Sequence, residues 1–357
     1  MEPLPLAVKV VGMGSSGQDL LAQVAAFPRP DDKLRTEKFE AQGGGNCGNA
    51  LTAAARLGLA PTIVSKIGGD GLGDGILAEF RRDGVDTAHM LRAPGAPSPF
   101  TYIIVDRQGG TRTCIHTPGE PMAPEELTPE LAAEVLQGAA AIYFDGRLTE
   151  AALVLAAAAR ERGVPVLVEA ERLRPGLEQL LGLADFVVSS AHFPQGWTGE
   201  QGLGDALVAT FSRLPRARWL ITTLGSRGSV LLERGEAAEA VGASGLEDLL
   251  PQLFEEAAAT QAAQGTPQSA PACVSASGVC ARVTAVQAAR LPPGAVVDTT
   301  GAGDAFIGSI LYGLATGMPV QRAMQLASVV AACKCTALGP RPGLPHRANL
   351  AASLLGS

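Results

Sequence analysis

Asp298-Thr-Thr-Gly301-Ala-Gly303-Asp304-Ala-Phe-Ile-Gly-Ser-Ile-Leu-Tyr-Gly-Leu314 is a loop of small residues running straight into an apolar, helix-forming segment. Gly301 and Gly303 leave bare N–H groups at the start of that helix, where the helix dipole favours negative charge. The peptide nitrogens of Gly301, Ala302, Gly303 and Asp304 can therefore hold a phosphoryl group in flight. A carboxylate in the first turn, Asp304, is placed to accept a proton from an attacking hydroxyl. An acid at a helix N-terminus also serves as a plain cap, so the reading depends on what the rest of the chain supplies.

A second glycine cluster lies far upstream, in Gly43-Gly-Gly-Asn46-Cys-Gly-Asn49-Ala-Leu-Thr-Ala-Ala-Ala-Arg-Leu-Gly58, and opens a helix that ends at Gly58. Two amides three residues apart, Asn46 and Asn49, can hydrogen-bond several vicinal hydroxyls from one helix end. A tight turn capped by Asn46 is the simpler alternative. The run lacks the Lys-Ser/Thr of a Walker loop.

Between these motifs short apolar runs alternate with Ala- and Leu-rich stretches: Val8 to Val11, Thr62 to Lys66, Ala141 to Phe144, Pro165 to Val168, Phe186 to Ser189 and Trp219 to Thr222. Strand alternating with helix predicts an α/β protein, a mostly parallel sheet with helices on both faces. Lys33 to Ala41 breaks the rhythm, as does Pro99 to Asp106 followed by Thr111 to His116, which reads as a hairpin turning at Gly109-Gly110. These predict a small antiparallel sheet standing off the main one, and a lid is one use for it. Gly235 to Pro271, rich in Ala, Glu, Gln and Ser apart from an amphipathic Leu246 to Phe254, predicts a surface insertion.

Two further motifs are weaker. Gly12-Met-Gly14-Ser-Ser-Gly17 matches G-x-G-x-x-G after a strand, with Asp31 and Asp32 downstream as ribose-binding candidates. A dinucleotide fold needs a buried apolar strand next, and Lys33 to Ala41 is not one. Gly225-Ser-Arg-Gly228 sits between two apolar strands, a turn suited to a nucleotide's phosphates or ribose, or a plain hairpin.

Composition removes other classes. The 357 residues carry a net charge of −7, which argues against a nucleic-acid footprint. Six cysteines without C-x-x-C spacing read as reduced thiols, and four histidines without H-E-x-x-H give no zinc motif. No uninterrupted apolar run is long enough to cross a membrane, and a soluble, cytoplasmic protein is expected.

Together the two glycine motifs resemble the ribokinase-like (PfkB) family of carbohydrate kinases over nearly the whole chain, Gly43 to Gly58 being similar to its N-terminal motif and Asp298 to Gly313 to its C-terminal one. Within the family the likeness runs to the ketohexokinase branch, through Tyr143-Phe-Asp-Gly-Arg147, Val168-Glu-Ala-Glu171 and the spacing from Asp19 through Phe27-Pro28 to Asp31. The resemblance implies a single PfkB-type domain over 1–357, a three-layer sandwich with a β lid drawn from about 14–43 and 97–118. It implies ATP and Mg2+ as cofactors and an acceptor sugar, with a ketohexose such as fructose favoured over ribose or a nucleoside such as pseudouridine.

By the same resemblance Asp304 is the base and Gly301, Ala302 and Gly303 are the anion hole. Asp19, Gly45, Asn46 and Asn49 bind sugar hydroxyls, and Asp31 reaches the sugar of a neighbouring subunit in a homodimer formed through the lid. Arg112 approaches the phosphates; Gly225, Ser226, Arg227 and Gly228 line the ATP site; Asp298 and Thr300 shape a site for a monovalent cation, K+. One departure is plain: where many members carry Asn-x-x-Glu, this chain reads Ser190-Ala-His-Phe193. A catalytically silent sugar-binding regulator could lose the base or the glycines, and both are intact.

Overall fold

The computed structural model describes residues 7–235, 245–264, 268–270, 272–276 and 279–355. Its strands are β1 (Lys9–Met13), β2 (Gly17–Val24), β3 (Lys38–Gly44), β4 (Ala60–Gly68), β5 (Asp86–Ala93), β6 (Phe100–Asp106), β7 (Thr111–Thr117), β8 (Ile142–Phe144), β9 (Val166–Ala170), β10 (Phe186–Ser189), β11 (Trp219–Thr223), β12 (Ser229–Arg234), β13 (Ala272–Ala276) and β14 (Val279–Val286). The helices are α1 (Asn46–Arg56), α2 (Gly71–Arg82), α3 (Pro129–Leu136), α4 (Thr149–Glu161), α5 (Leu177–Leu181), α6 (Phe193–Thr198), α7 (Leu203–Ser212), α8 (Leu246–Gln264), α9 (Ala302–Thr316) and α10 (Val320–Lys334).

The larger sheet runs β13-β14-β12-β11-β10-β9-β8-β1-β4-β5. The seven neighbours from β11 to β5 are parallel, while β12, β14 and β13 finish the other side antiparallel. Side chains alternate across the strands. Val11, Ile142, Phe144, Val166, Val187 and Leu220 join the core under α3 to α8, and Val10, Tyr143, Leu167, Val188 and Ile221 join the core under α1, α2, α9 and α10. Burial on both faces explains why these strands read as continuous apolar runs. The six strands expected from such runs form as β1, β4, β8, β9, β10 and β11, with ends shifted by about two residues or fewer. No helix of the described residues is long and apolar enough to cross a membrane.

A smaller sheet, β3-β2-β6-β7, stands beside it. It is mixed, which corrects the antiparallel expectation: β2–β3 and β6–β7 are antiparallel hairpin pairs, but β2 and β6 pair in parallel. The cause is chain order, since β3 to β5 intervene between β2 and β6 and allow the crossover that a parallel pair needs. Leu21 and Ile103 point inward against Leu338, whereas Phe39, Tyr102 and Ile115 share the outward face.

The insertion expected over 235–271 falls partly outside the described residues, at 236–244, 265–267 and 271. Where it is described, α8 is packed: Leu246, Leu250, Leu253 and Ala257 recur at helical spacing and are buried, the leucines within the core that also holds Leu207 and Phe211 of α7. The amphipathic Leu246 to Phe254 stretch read from the sequence is the first half of that stripe.

Candidate active site

Strand β1 lies between β8, which begins one series of parallel strands, and β4, which begins the other. The carboxyl ends of parallel strands at such a reversal diverge and leave a crevice where ligands bind. Met13, Phe144 and Ala170 end their strands on this edge, and the starts of α1 and α9 face it.

At the base of the crevice, Asp145 accepts hydrogen bonds from the backbone N–H of Ser15 (2.7 Å) and Cys47 (3.3 Å), and from the Ser15 hydroxyl (2.6 Å). Its carboxyl lies where a Cβ at residue 14 would meet it at 2.2 Å, so Gly14 is required for that approach. The chain then enters strand β2 at Gly17, not a helix. Gly12-x-Gly14-x-x-Gly17 is therefore a packing motif, and the dinucleotide alternative lacks its helix N-terminus.

Gly45, at φ 86°, turns the chain from β3 into α1. Its backbone lies so close to Ser15 that a Cβ would sit 2.6 Å from the Ser15 carbonyl oxygen. Asn46 Nδ2 donates to Glu169 Oε1 (3.3 Å), and Glu169 Oε2 accepts from the Tyr143 hydroxyl (2.6 Å). One turn on, Asn49 Nδ2 donates to Asp304 Oδ2 (2.8 Å). The two glycine motifs, 255 residues apart in the chain, thus meet through one hydrogen bond.

Gly301, at φ 77°, caps α9 in the left-handed region, and Asp304 lies in its first turn. Burial pushes the Asp304 carboxyl up to about 7; the Asn49 amide lowers it, Glu171 raises it and Arg147 lowers it. A carboxyl titrating there suits a general base at neutral pH. Glu169 is raised well above the ordinary range, first by burial and then by Asp304. Arg147 donates to Glu171 (3.0 Å) and, at 3.5 Å, to Asn46, while its buried Nε has no partner among the described residues.

Asp19, on β2, is buried against Gly44, where a Cβ would stand 2.2 Å from its carboxylate. Burial raises Asp19 to about 6, while Arg341 and the Thr101 hydroxyl oppose it. Arg341 was not legible in the sequence. It is buried and donates to Asn49 Oδ1 (3.1 Å), Glu79 Oε1 (3.1 Å) and, at 3.5 Å, the Gly44 carbonyl, with its guanidinium 4.8 Å from the Phe80 ring. A buried arginine holding an asparagine amide fixes which end of Asn49 faces Asp304. Its Gly-Pro-Arg-Pro-Gly context carries no motif that would have announced it.

Arg112, on β7, donates to Thr299 Oγ1 (2.8 Å) and so ties the smaller sheet to the glycine loop. Gly225, Ser226, Arg227 and Gly228 form the turn after β11, three strands from β8 on the same edge, with Gly225 at φ 60° and Gly228 at φ 100°. Asp31 stands apart on the exposed β2–β3 connection, at φ 66°. Asp298 and Thr300 are together, but the Asp298 carboxylate is filled by Thr300 N–H (2.9 Å), the Thr300 hydroxyl (2.7 Å) and Gly339 N–H (2.8 Å). Two of these bonds fall on Oδ1 and one on Oδ2, which leaves little of the carboxylate for a bound monovalent cation. Among the described residues no group of three or more His, Cys, Asp or Glu side chains is arranged to hold a metal ion.

Comparison with known proteins agrees with this architecture. The mouse ketohexokinase is 24% identical over 325 residues, covering 89% of this chain and 92% of that protein. The mouse ribokinase is 25% identical over 354 residues, covering 98% and 95%. Arabidopsis thaliana ribokinase, solved with ribose and ATP, superposes with a TM-score of 0.71 at 19% identity, covering 99% of this chain and all of that one, a likeness of fold. The sequence profile described as "pfkB family carbohydrate kinase" matches residues 8–245 and 236–347. The chain belongs to the pfkB family of carbohydrate kinases, phosphotransferases that act on sugar hydroxyls.

Proposed function

We propose that this protein transfers the γ-phosphoryl group of Mg·ATP to a hydroxyl of a small sugar, with a ketohexose such as fructose the favoured acceptor. The observation that carries the proposal is the buried Asp304 carboxyl, at the start of α9 beside the Gly301–Gly303 amides and 2.8 Å from Asn49. The acceptor oxygen attacks the γ-phosphorus, the bond to the bridging oxygen of ADP breaks, and Asp304 takes the hydroxyl proton. The amides of Gly301, Ala302 and Gly303 meet the charge on the transferring group. Mg2+ enters with ATP as part of the co-substrate.

Asp19, Gly45, Asn46 and Asn49 supply donors and acceptors for the other sugar hydroxyls, and the unpartnered Arg147 Nε offers one more donor. Arg112 and the Gly225–Gly228 turn serve the nucleotide phosphates. The smaller sheet is the lid; closing it excludes water and suppresses ATP hydrolysis. Its outward face exposes Phe39, Tyr102 and Ile115 at 59%, 50% and 52%, an apolar surface that a second copy covers in a homodimer, with Asp31 carried to the partner's sugar. A cytoplasmic location belongs to the same reading.

ADP release with fructose, ribose, inosine and pseudouridine as acceptors tests it. Fructose is expected to give the highest kcat/KM. A higher value for ribose or a nucleoside reassigns the acceptor, and sugar binding without ADP release for any acceptor refutes the kinase reading.

A further inference from the structure

Lys334 is the last residue of α10, fully buried, and its Nζ donates to the main-chain oxygen of Asp298 at 2.5 Å. A buried ammonium is costly unless it is paired. Burial lowers the basicity of Lys334 below its ordinary value, and the negative charge of Asp298 beside it works against that loss. The Cys335 carbonyl accepts from the backbone N–H of Val297 (2.8 Å) and Asp298 (3.2 Å), so the end of α10 and the glycine loop are bound together at this point. The Asp298 carboxylate already accepts three hydrogen bonds, from the Thr300 N–H, the Thr300 hydroxyl and the Gly339 N–H.

We infer that the Lys334 ammonium is this protein's built-in counter-ion for the anion-hole loop, replacing a bound monovalent cation under Asp298. A tethered ammonium and a free cation at the same place repel each other. The ammonium holds the Asp298 carbonyl beneath the loop, and across the planar peptide this turns the Thr299 N–H the opposite way. It also leaves a fixed positive charge under the loop that meets the phosphoryl group. Lys334 is therefore a positioning residue, and the inference rests on the phosphoryl-transfer reading.

The test begins with wild-type protein in KCl, NaCl and choline chloride at equal ionic strength. Rates within about twofold across the three are expected, and melting temperatures that do not rise with K+ over choline. A K+ rate gain of about tenfold, or a K+-specific rise in melting temperature, overturns the inference. The Lys334→Met variant is expected to lose about tenfold or more in kcat with little change in the sugar KM, and Lys334→Ala to regain part of its rate with KCl or methylammonium. A folded Lys334→Met protein with wild-type kcat also overturns it. If the variants do not fold, the wild-type salt series still decides. If no acceptor is turned over at all, the function has been misread, and the melting series still tests Lys334.

Discussion

Asp304 meets two opposed demands. As the base of the proposed phosphoryl transfer it must be ionised, while the fold buries it and pushes its carboxyl up to about 7, against 3.8 for an ordinary aspartate. The kcat/KM is expected to fall about tenfold per pH unit below about 7 and to level off above it. Asp304→Asn should lower kcat by about 10²-fold or more, a loss read in steady-state turnover. The folded state binds the Asp304 proton more tightly than the unfolded chain, so its contribution to stability is full below about 4 and is lost as pH rises to about 7. Asp304→Asn should therefore melt above wild type at pH 8, with the difference shrinking toward pH 4; a constant difference across that range contradicts the burial argument. Asp304 and its glycines were legible because helix-terminus chemistry is local. Arg341, Glu169 and Asp145 act only after distant segments converge, and no local pattern assigns them their roles.

At the scale of elements, the active site depends on how closely α1 and α9 pack. A Cβ at Gly308 would lie 2.3 Å from the Ala50 carbonyl oxygen and 2.8 Å from Ala53 Cβ, so the helices meet at backbone distance there. Gly308→Ala must push them apart. The expected cost is about 1–3 kcal/mol in denaturant unfolding, together with a fall in kcat as the Asn49–Asp304 hydrogen bond is strained. Helix α8 behaves differently: Leu250→Ala should destabilise by about 2–5 kcal/mol while leaving kcat of the folded fraction near wild type, because the residue packs into the core away from Asp304. The parallel strands were readable because burial on both faces makes them apolar throughout. Strand β2, Gly17-Gln-Asp-Leu-Leu-Ala-Gln-Val24, was concealed by a motif that mimics a nucleotide loop, and its parallel pairing with β6 depends on a crossover that local sequence does not encode.

Across the whole molecule, the strand order that reverses at β1 gathers segments from the beginning, middle and end of the chain onto one edge, with the smaller sheet beside it tied in through Arg112 and Thr299. The outward apolar face of that sheet predicts self-association: Ile115→Lys should shift the protein toward monomer in sedimentation equilibrium, and an unchanged mass distribution would contradict the lid-to-lid dimer. The phosphoryl-transfer claim itself is tested most directly by following the reaction of Mg·ATP with fructose by 31P NMR, using wild-type protein and Asp304→Asn. The account predicts a sugar phosphate ester growing in step with ADP for wild type, and about 10²-fold slower or worse for the variant. Inorganic phosphate in place of an ester, or an ester formed as fast by the variant, would contradict it.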